Sequence, residues 1–123
     1  IGNEGEKQDQ RQEGYGAGVG EQRYFEAMCD APDVATILRQ ARQFGYKPGQ
    51  QRAFIMAKVL EKCPVIIVGT TDPDIVRQAK MLPAATMDEA LRMAAERLGR
   101  DLDVLIVPHA LHTLPIIRNT EAV

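Results

Sequence analysis

The sequence predicts an α/β domain, with a small, mostly parallel sheet and helices on both faces, as in Rossmann-like three-layer folds. Short runs of β-branched apolar residues alternate with longer segments of helical periodicity. Continuous apolar runs are typical of parallel strands that are covered on both faces. The order helix, strand, helix, strand, helix, strand implies right-handed crossovers. With 123 residues, we expect a flexible tail over residues 1–13 and a single α/β domain over residues 14–123.

The composition excludes several functional classes. Fifteen Lys and Arg face 17 Asp and Glu, a net charge of −2, so no basic nucleic-acid surface is expected. No apolar run approaches the ~18 residues that a membrane span needs, and the N-terminus lacks the apolar stretch of a signal peptide. Cys29 and Cys63 form no CxxC motif. We expect both to be buried, reduced thiols of a cytoplasmic protein.

The N-terminal 20 residues carry no motif that requires a ligand. Residues 1–13 are almost free of large apolar groups, so they cannot offset the entropy of becoming ordered. The glycine run "GYGAGVG" over residues 14–20 has no strand before it and lacks the spacing of a phosphate-binding loop. A flexible hinge is the favoured interpretation, followed by a helix in "EQRYFEAMC".

Two helices are predicted next, over residues 30–45 and 48–63. Apolar residues recur at helical spacing in both segments. They are Val34, Ile37, Leu38 and Ala41 in the first, and Ala53, Phe54, Ala57 and Leu60 in the second. Asp30 is a suitable N-cap and Gly45 a suitable stop for the first helix.

Two strong strands and one weak strand are predicted in the second half of the chain. "PVIIVG" (residues 64–69) and "DVLIVP" (residues 103–108) are the strong ones, and "LPAAT" (residues 82–86) is the weak one. We expect these strands and the helices beside them to form the core. The predicted core residues are Val65, Ile66, Ile67, Val68, Val104, Leu105, Ile106 and Val107, with Leu60, Leu91 and Leu98 packed on them.

Two further helices alternate with these strands, over residues 71–80 and 86–99. Asp72 is the predicted cap of the first, which explains the polar loop before it without a functional role. Thr86 and Glu89 predict a capping box at the start of the second. The apolar face of that helix consists of Leu91, Ala94, Ala95 and Leu98.

Candidate site residues fall on two loops. His109 and His112 follow the last predicted strand, at the edge of an open sheet where ligands bind. Two imidazoles do not complete a zinc site, which needs three or four ligands. We therefore favour a structural role in a loop, with a wall of an active site as the alternative and no metal site.

The segment "KPGQQR" places three polar residues at the start of a predicted helix, where free N–H groups favour anions. Gln50, Gln51 and Arg52 are therefore candidate contacts for a carboxylate substrate. Plain solvent exposure of these side chains is the favoured alternative.

Taken together, the motifs resemble the C-terminal domain of the nickel-pincer lactate racemase family. The resemblance rests on "FGYKPGQQRAFIMAKVLEKCPVIIVG", "MDEALRMAAERLG" and "DVLIVPHALHTLPII", with "EGYGAGVGEQRYFEAM" similar to the glycine-rich turn and helix before them. It covers residues 13–118. The lack of a starting Met also favours a fragment of a longer enzyme.

The resemblance implies an isomerase, a racemase or epimerase of 2-hydroxy acids. In that family a lysine of the N-terminal domain carries a nickel-pincer nucleotide, and histidines of the same domain move the proton. The implied partners are that N-terminal catalytic domain and a small 2-hydroxy acid. This chain alone would bind no cofactor and be inactive, and His109 and His112 would not be the catalytic histidines.

The resemblance also places Gln51 where the family has a tryptophan facing the active site, which implies a substrate other than lactate. A free-standing α/β binding or interaction module remains the alternative function. Whether the chain forms a homo-oligomer stays open at this point.

Overall fold

The computed structural model describes residues 22–118, so the predicted tail and glycine hinge lie outside the described residues. Within this range the chain is mixed α/β, with five α-helices, one two-stranded parallel sheet and a short 3-10 turn. The elements in chain order are α1 (Gln22–Asp30), α2 (Val34–Phe44), α3 (Gln51–Lys62), β1 (Ile66–Val68), α4 (Pro73–Gln78), β2 (Leu82–Ala84), α5 (Met87–Leu98) and the turn Ala110–His112. None of these helices is long and apolar enough to cross a membrane.

The two strands pair in parallel, with Ile66 opposite Leu82 and Val68 opposite Ala84. Both strands had been predicted, and the weak "LPAAT" strand is confirmed as the partner of β1. The N–H of Leu82 donates to the carbonyl of Val65 at 2.9 Å, and the N–H of Gly69 donates to the carbonyl of Ala84 at 3.0 Å. These bonds extend the pairing by one residue beyond each end of β1.

Three helix starts follow from local side chains. Asp72 caps α4 by accepting hydrogen bonds from two backbone N–H groups, as predicted. Thr86 caps α5 by accepting from the N–H of Glu89 at 3.2 Å. The Glu89 carboxylate in turn accepts from the N–H of Ala85 at 2.7 Å. The predicted capping box is therefore present, with its return bond one residue earlier than in the usual arrangement.

The start of α2 corrects one prediction. Asp33 is the N-cap, and its carboxylate accepts a hydrogen bond from the N–H of Thr36 at 2.7 Å. Asp30, the predicted cap, is instead the last residue of α1. Gly45 ends α2 as predicted, with a positive φ of 71° that favours glycine.

The core lies mainly among the first three helices. Its buried apolar residues are Met28, Ala31, Ile37, Leu38, Ala53, Ala57 and Ala79. Small alanines on α3 let its backbone approach α1 and α2 closely. In the sheet Val65, Ile66 and Ile67 are half-buried, while Val68 is exposed. The centre of the core is therefore a helical layer and not the sheet that the sequence predicted.

The last predicted strand is the largest correction. Residues 103–108 form no strand, and Val104, Leu105, Ile106 and Val107 are exposed instead of forming the core. Leu91 and Leu98 are exposed as well. The wrong prediction of the strand and that of the two leucines have one physical cause. An apolar pattern identifies side chains that need burial, and no described residue packs over these ones. The three-layer arrangement with helices on both faces stays a prediction.

The cysteines also differ from expectation. Both are free, but Cys63 is exposed at the end of α3, and Cys29 is only half-buried. Burial raises the pKa of the Cys29 thiol, with Lys80 acting in the opposite direction and Asp30 in the same direction. The Cys29 thiol therefore does not have the lowered pKa of a catalytic cysteine.

The cap of α2 predicts a pH dependence of stability. Hydrogen bonds from the side chain and backbone of Thr36 lower the pKa of the Asp33 carboxyl. Because the folded pKa is depressed, the stabilisation is present above the ordinary value of about 3.9 and is lost as the pH falls through the folded pKa. Asp33→Asn keeps a capping oxygen at every pH.

We expect the Tm of the wild type, measured by circular dichroism, to fall relative to that of Asp33→Asn once the pH drops below about 4. The two Tm curves should run parallel from pH 7 to pH 5. Parallel curves down to pH 2 would show that the carboxylate does not stabilise the helix through its charge.

Candidate functional site

The candidate site is the loop that joins α2 to α3 and the first turn of α3. Gly45 and Gly49 both have positive φ angles, of 71° and 93°, so the chain reverses direction here at positions that favour glycine. The N–H of Gln50 donates to the carbonyl of Lys47 at 3.0 Å, and the N–H of Lys47 donates to Gln50 Oε1 at 2.9 Å. The loop is thus closed by its own residues, which fixes the start of α3.

Gln51 completes the same closure. Its Oε1 accepts a hydrogen bond from the N–H of Gly49 at 2.6 Å, although the side chain as a whole is exposed. Within residues 22–118 the amide nitrogens of Gln50 and Gln51 and the guanidinium of Arg52 make no hydrogen bond. The side-chain oxygens of Gln50 and Gln51 therefore accept hydrogen bonds from the loop, while the donors of Gln50, Gln51 and Arg52 have no acceptor within residues 22–118.

A groove of about 520 Å³ lies beside this loop. It is bounded by the end of α1, the C-terminal half of α2, the loop itself and the first turn of α3. Gln50 lines it, whereas Gln51 and Arg52 do not. The side chain of Arg23 on α1 donates to the carbonyl of Pro48 at 3.1 Å, which ties α1 to the loop.

Two aromatic residues, Tyr46 and Phe54, form one wall of the groove. Neither was predicted as a site residue, and Phe54 was predicted only as part of the apolar face of its helix. The rings of Tyr46 and Phe54 stack with centroids 5.9 Å apart, and the ammonium of Lys58 lies 5.8 Å from the centroid of the Phe54 ring. The signal available in the sequence was an aromatic residue on either side of the "KPGQQ" turn. Whether the two rings meet depends on how tightly the turn reverses the chain.

The chemistry that this arrangement offers is binding. The residues with polar side chains that line the groove are Asp30, Gln40, Tyr46, Lys47 and Gln50. These groups can orient a ligand by hydrogen bonds and charge, and the aromatic wall can cover an apolar part of it. Covalent catalysis uses a nucleophile that is hydrogen-bonded to a base. No described hydrogen bond on this groove joins two such groups.

The two histidines lie apart from this loop in the sequence and share no described hydrogen bond with it. Both are exposed. His109 adopts a left-handed conformation with φ of 56°, and its carbonyl accepts from the N–H of His112 at 2.8 Å and from the hydroxyl of Thr113 at 3.1 Å. Among residues 22–118 no group of three His, Cys, Asp or Glu is placed to hold a metal ion. The role of His109 and His112 stays a prediction.

Comparison with known proteins identifies the family. The sequence profile of the lactate racemase C-terminal domain matches residues 13–114. The chain is 32% identical over 98 residues to the lactate racemase of Lactiplantibacillus plantarum (strain ATCC BAA-793 / NCIMB 8826 / WCFS1), which covers 76% of this chain and 23% of that protein. No solved structure matches significantly. The resemblance seen in the sequence is therefore confirmed, and the chain belongs to the lactate racemase C-terminal domain family.

Proposed function

We propose that this chain is the C-terminal domain of a lactate-racemase-like racemase or epimerase of 2-hydroxy acids, in which it closes over the substrate site of a preceding catalytic domain. The family match supports a larger parent protein, since the region that matches this chain is only 23% of the length of the bacterial lactate racemase. The observation that carries a substrate role is the start of α3, where two glutamine amides and Arg52 present free donors on a rigid loop.

In this proposal the chain binds and orients, and it moves no proton. A 2-hydroxy acid presents a carboxylate and a hydroxyl, which accept hydrogen bonds from amide and guanidinium donors. Because Gln51 Oε1 is held by the N–H of Gly49, its amide nitrogen has a fixed direction. A fixed donor discriminates between substrates better than a mobile one, since less side-chain entropy is lost on binding.

The resemblance implies that the nickel-pincer nucleotide is attached to a lysine of the N-terminal domain and not to residues 22–118. No three metal-ligating side chains converge among residues 22–118, so no step of a reaction is assigned through that cofactor here. We propose that the preceding domain of the parent protein binds it. The free Cys29 and Cys63 are consistent with a proposed cytoplasmic location.

The alternative of a free-standing binding or interaction module is not favoured. The groove beside the loop would suit such a module. However, the family match extends over residues 13–114, so the features of this domain are shared with racemases and are not specific to an isolated binder.

The proposal predicts that Gln51 sets substrate preference in the complete protein. The family resemblance places a tryptophan at this position, so Gln51→Trp should shift kcat/KM toward lactate and away from larger or more polar 2-hydroxy acids. The expected shift is about five- to tenfold, since one good polar contact contributes on the order of 1 kcal/mol. Racemisation rates with lactate, malate and other 2-hydroxy acids provide the measurement.

Gln51→Leu is the matched control, because it also removes the hydrogen bond to Gly49 but adds no aromatic ring. Gln51→Leu should lower kcat/KM for the polar substrates without raising kcat/KM for lactate. If wild type, Gln51→Trp and Gln51→Leu all give the same ratios of kcat/KM across the substrates, Gln51 is only the exposed start of a helix and the substrate role is wrong.

A further inference from the structure

The C-terminal part of the described chain is an apolar segment without cover. We use the name C-terminal segment for residues 104–117, which carry no Asp, Glu, Lys or Arg. Eight of its large apolar side chains are exposed, with Leu105 at 81% and Ile106 at 82%. They are Val104, Leu105, Ile106, Val107, Leu111, Leu114, Ile116 and Ile117. An exposed apolar surface of this extent usually marks an interaction site.

The backbone of the first four residues of this segment is unpaired as well. Within residues 22–118 no backbone hydrogen bond reaches residues 104–107. These four residues are β-branched or leucine and end at Pro108, so they have the composition of a strand. An apolar run with free N–H and C=O groups is suited to join a sheet as an added strand.

Natural proteins place charges or prolines on free strand edges to prevent aggregation, and residues 104–107 carry neither. A strand of this kind needs a cover that is always present. Permanent cover that does not depend on protein concentration is best provided by the same polypeptide.

The family comparison indicates which part of the polypeptide is involved. The profile of the domain extends to residue 114, so most of the C-terminal segment belongs to what family members share. The chain corresponds to only 23% of the length of the bacterial lactate racemase. If the segment is shared by family members, its binding partner should be shared as well. The remaining part of a full-length racemase is such a partner.

We propose that the C-terminal segment docks onto the domain that precedes this chain in the complete protein, with residues 104–107 added as a strand to a sheet of that domain. This inference rests on the proposed function for the existence of a preceding domain. It assigns a structural role to the region around His109 and His112, since the docked strand would hold their turn at the boundary between the two domains.

Site-specific photo-crosslinking in the complete protein tests the inference. Leu105→p-benzoylphenylalanine places a photoreactive ring on the C-terminal segment. Arg92→p-benzoylphenylalanine on α5, where the native side chain is 62% exposed and which the proposed function does not place at the substrate site, is the control. After irradiation, mass spectrometry identifies the crosslinked peptides, and light scattering gives the oligomeric state of the same sample. Hydrogen exchange then reports on the amides of residues 104–107.

We expect position 105 to crosslink to peptides of the preceding domain within one monomer, position 92 not to reach those peptides, and the amides of residues 104–107 to be protected about 100-fold or more. Crosslinks confined to residues 22–98, crosslinks between two copies, the same peptides from both positions, or unprotected amides would each overturn the docking. Racemisation assayed on the same preparation separates the two proposals. Activity without the crosslink contradicts only the docking, and the crosslink without activity contradicts only the proposed function.

Discussion

Leu38→Ala is expected to lower the free energy of unfolding by about 2–5 kcal/mol, because it removes a buried side chain and leaves a cavity. Leu38 lies on α2 with 2% of its surface exposed and belongs to the core cluster of the first three helices. Urea denaturation of the chain, followed by circular dichroism at 222 nm, provides the measurement.

Leu111→Ala is the matched control, since the same atoms are removed from a residue that is 97% exposed. It should change the free energy of unfolding by less than about 0.5 kcal/mol. Similar losses for both leucines would mean that the helical layer around Leu38 is not the core of the domain.

Ala57→Leu is expected to destabilise the chain by about 1–3 kcal/mol through overpacking. Ala57 is fully buried on α3 and belongs to the same core cluster as Leu38. A larger side chain would force α3 away from α1 and α2, and leucine itself is a good helix former, so helix propensity cannot explain a loss. Denaturant unfolding reports the difference.

Glu61→Leu is the matched control, because it makes the same residue one turn further along α3, at an exposed position. It should leave the free energy of unfolding within about 0.5 kcal/mol of the wild type. A neutral or stabilising effect of Ala57→Leu would show that the space beside α3 is larger than the structure indicates, and that these helices do not pack closely.

The parts of the fold that the sequence predicted correctly are those controlled by neighbouring residues. The cap at Asp72 and the box formed by Thr86 and Glu89 each require contacts within four residues, so their patterns are sufficient. Asp33 was missed in favour of Asp30 because two aspartates flank one short turn. Which of them starts the helix depends on where α1 ends.

The predictions that failed depended on cover from elsewhere. Ile106 and Leu98 have the apolar character of core residues, but periodicity identifies only a side chain that needs burial and not the surface that buries it. Both are exposed in the described part of the chain. If the C-terminal segment docks as proposed, the predicted strand at residues 103–108 would be right about conformation and wrong about its partner.

The candidate site was predictable in part. Gln50, Gln51 and Arg52 were selected because three polar residues open a helix, and the structure places them at the start of α3, where the two glutamines close the preceding loop. Their role in substrate binding stays a prediction. The stacked wall of Tyr46 and Phe54 was not predicted, because their contact depends on the tight reversal at Gly45 and Gly49. Local chemistry can be identified from the sequence, whereas the shape of the groove is a tertiary property.

We propose above that this chain is one domain of a 2-hydroxyacid racemase and supplies no chemistry by itself. The most direct measurement is the loss of optical purity of single D- or L-2-hydroxy acids, with the complete protein and the isolated chain assayed side by side after loading with the nickel cofactor. We expect the complete protein to interconvert the stereoisomers and the isolated chain to match the blank. Racemisation by the isolated chain, or none by the loaded complete protein with any 2-hydroxy acid tested, would contradict the claim.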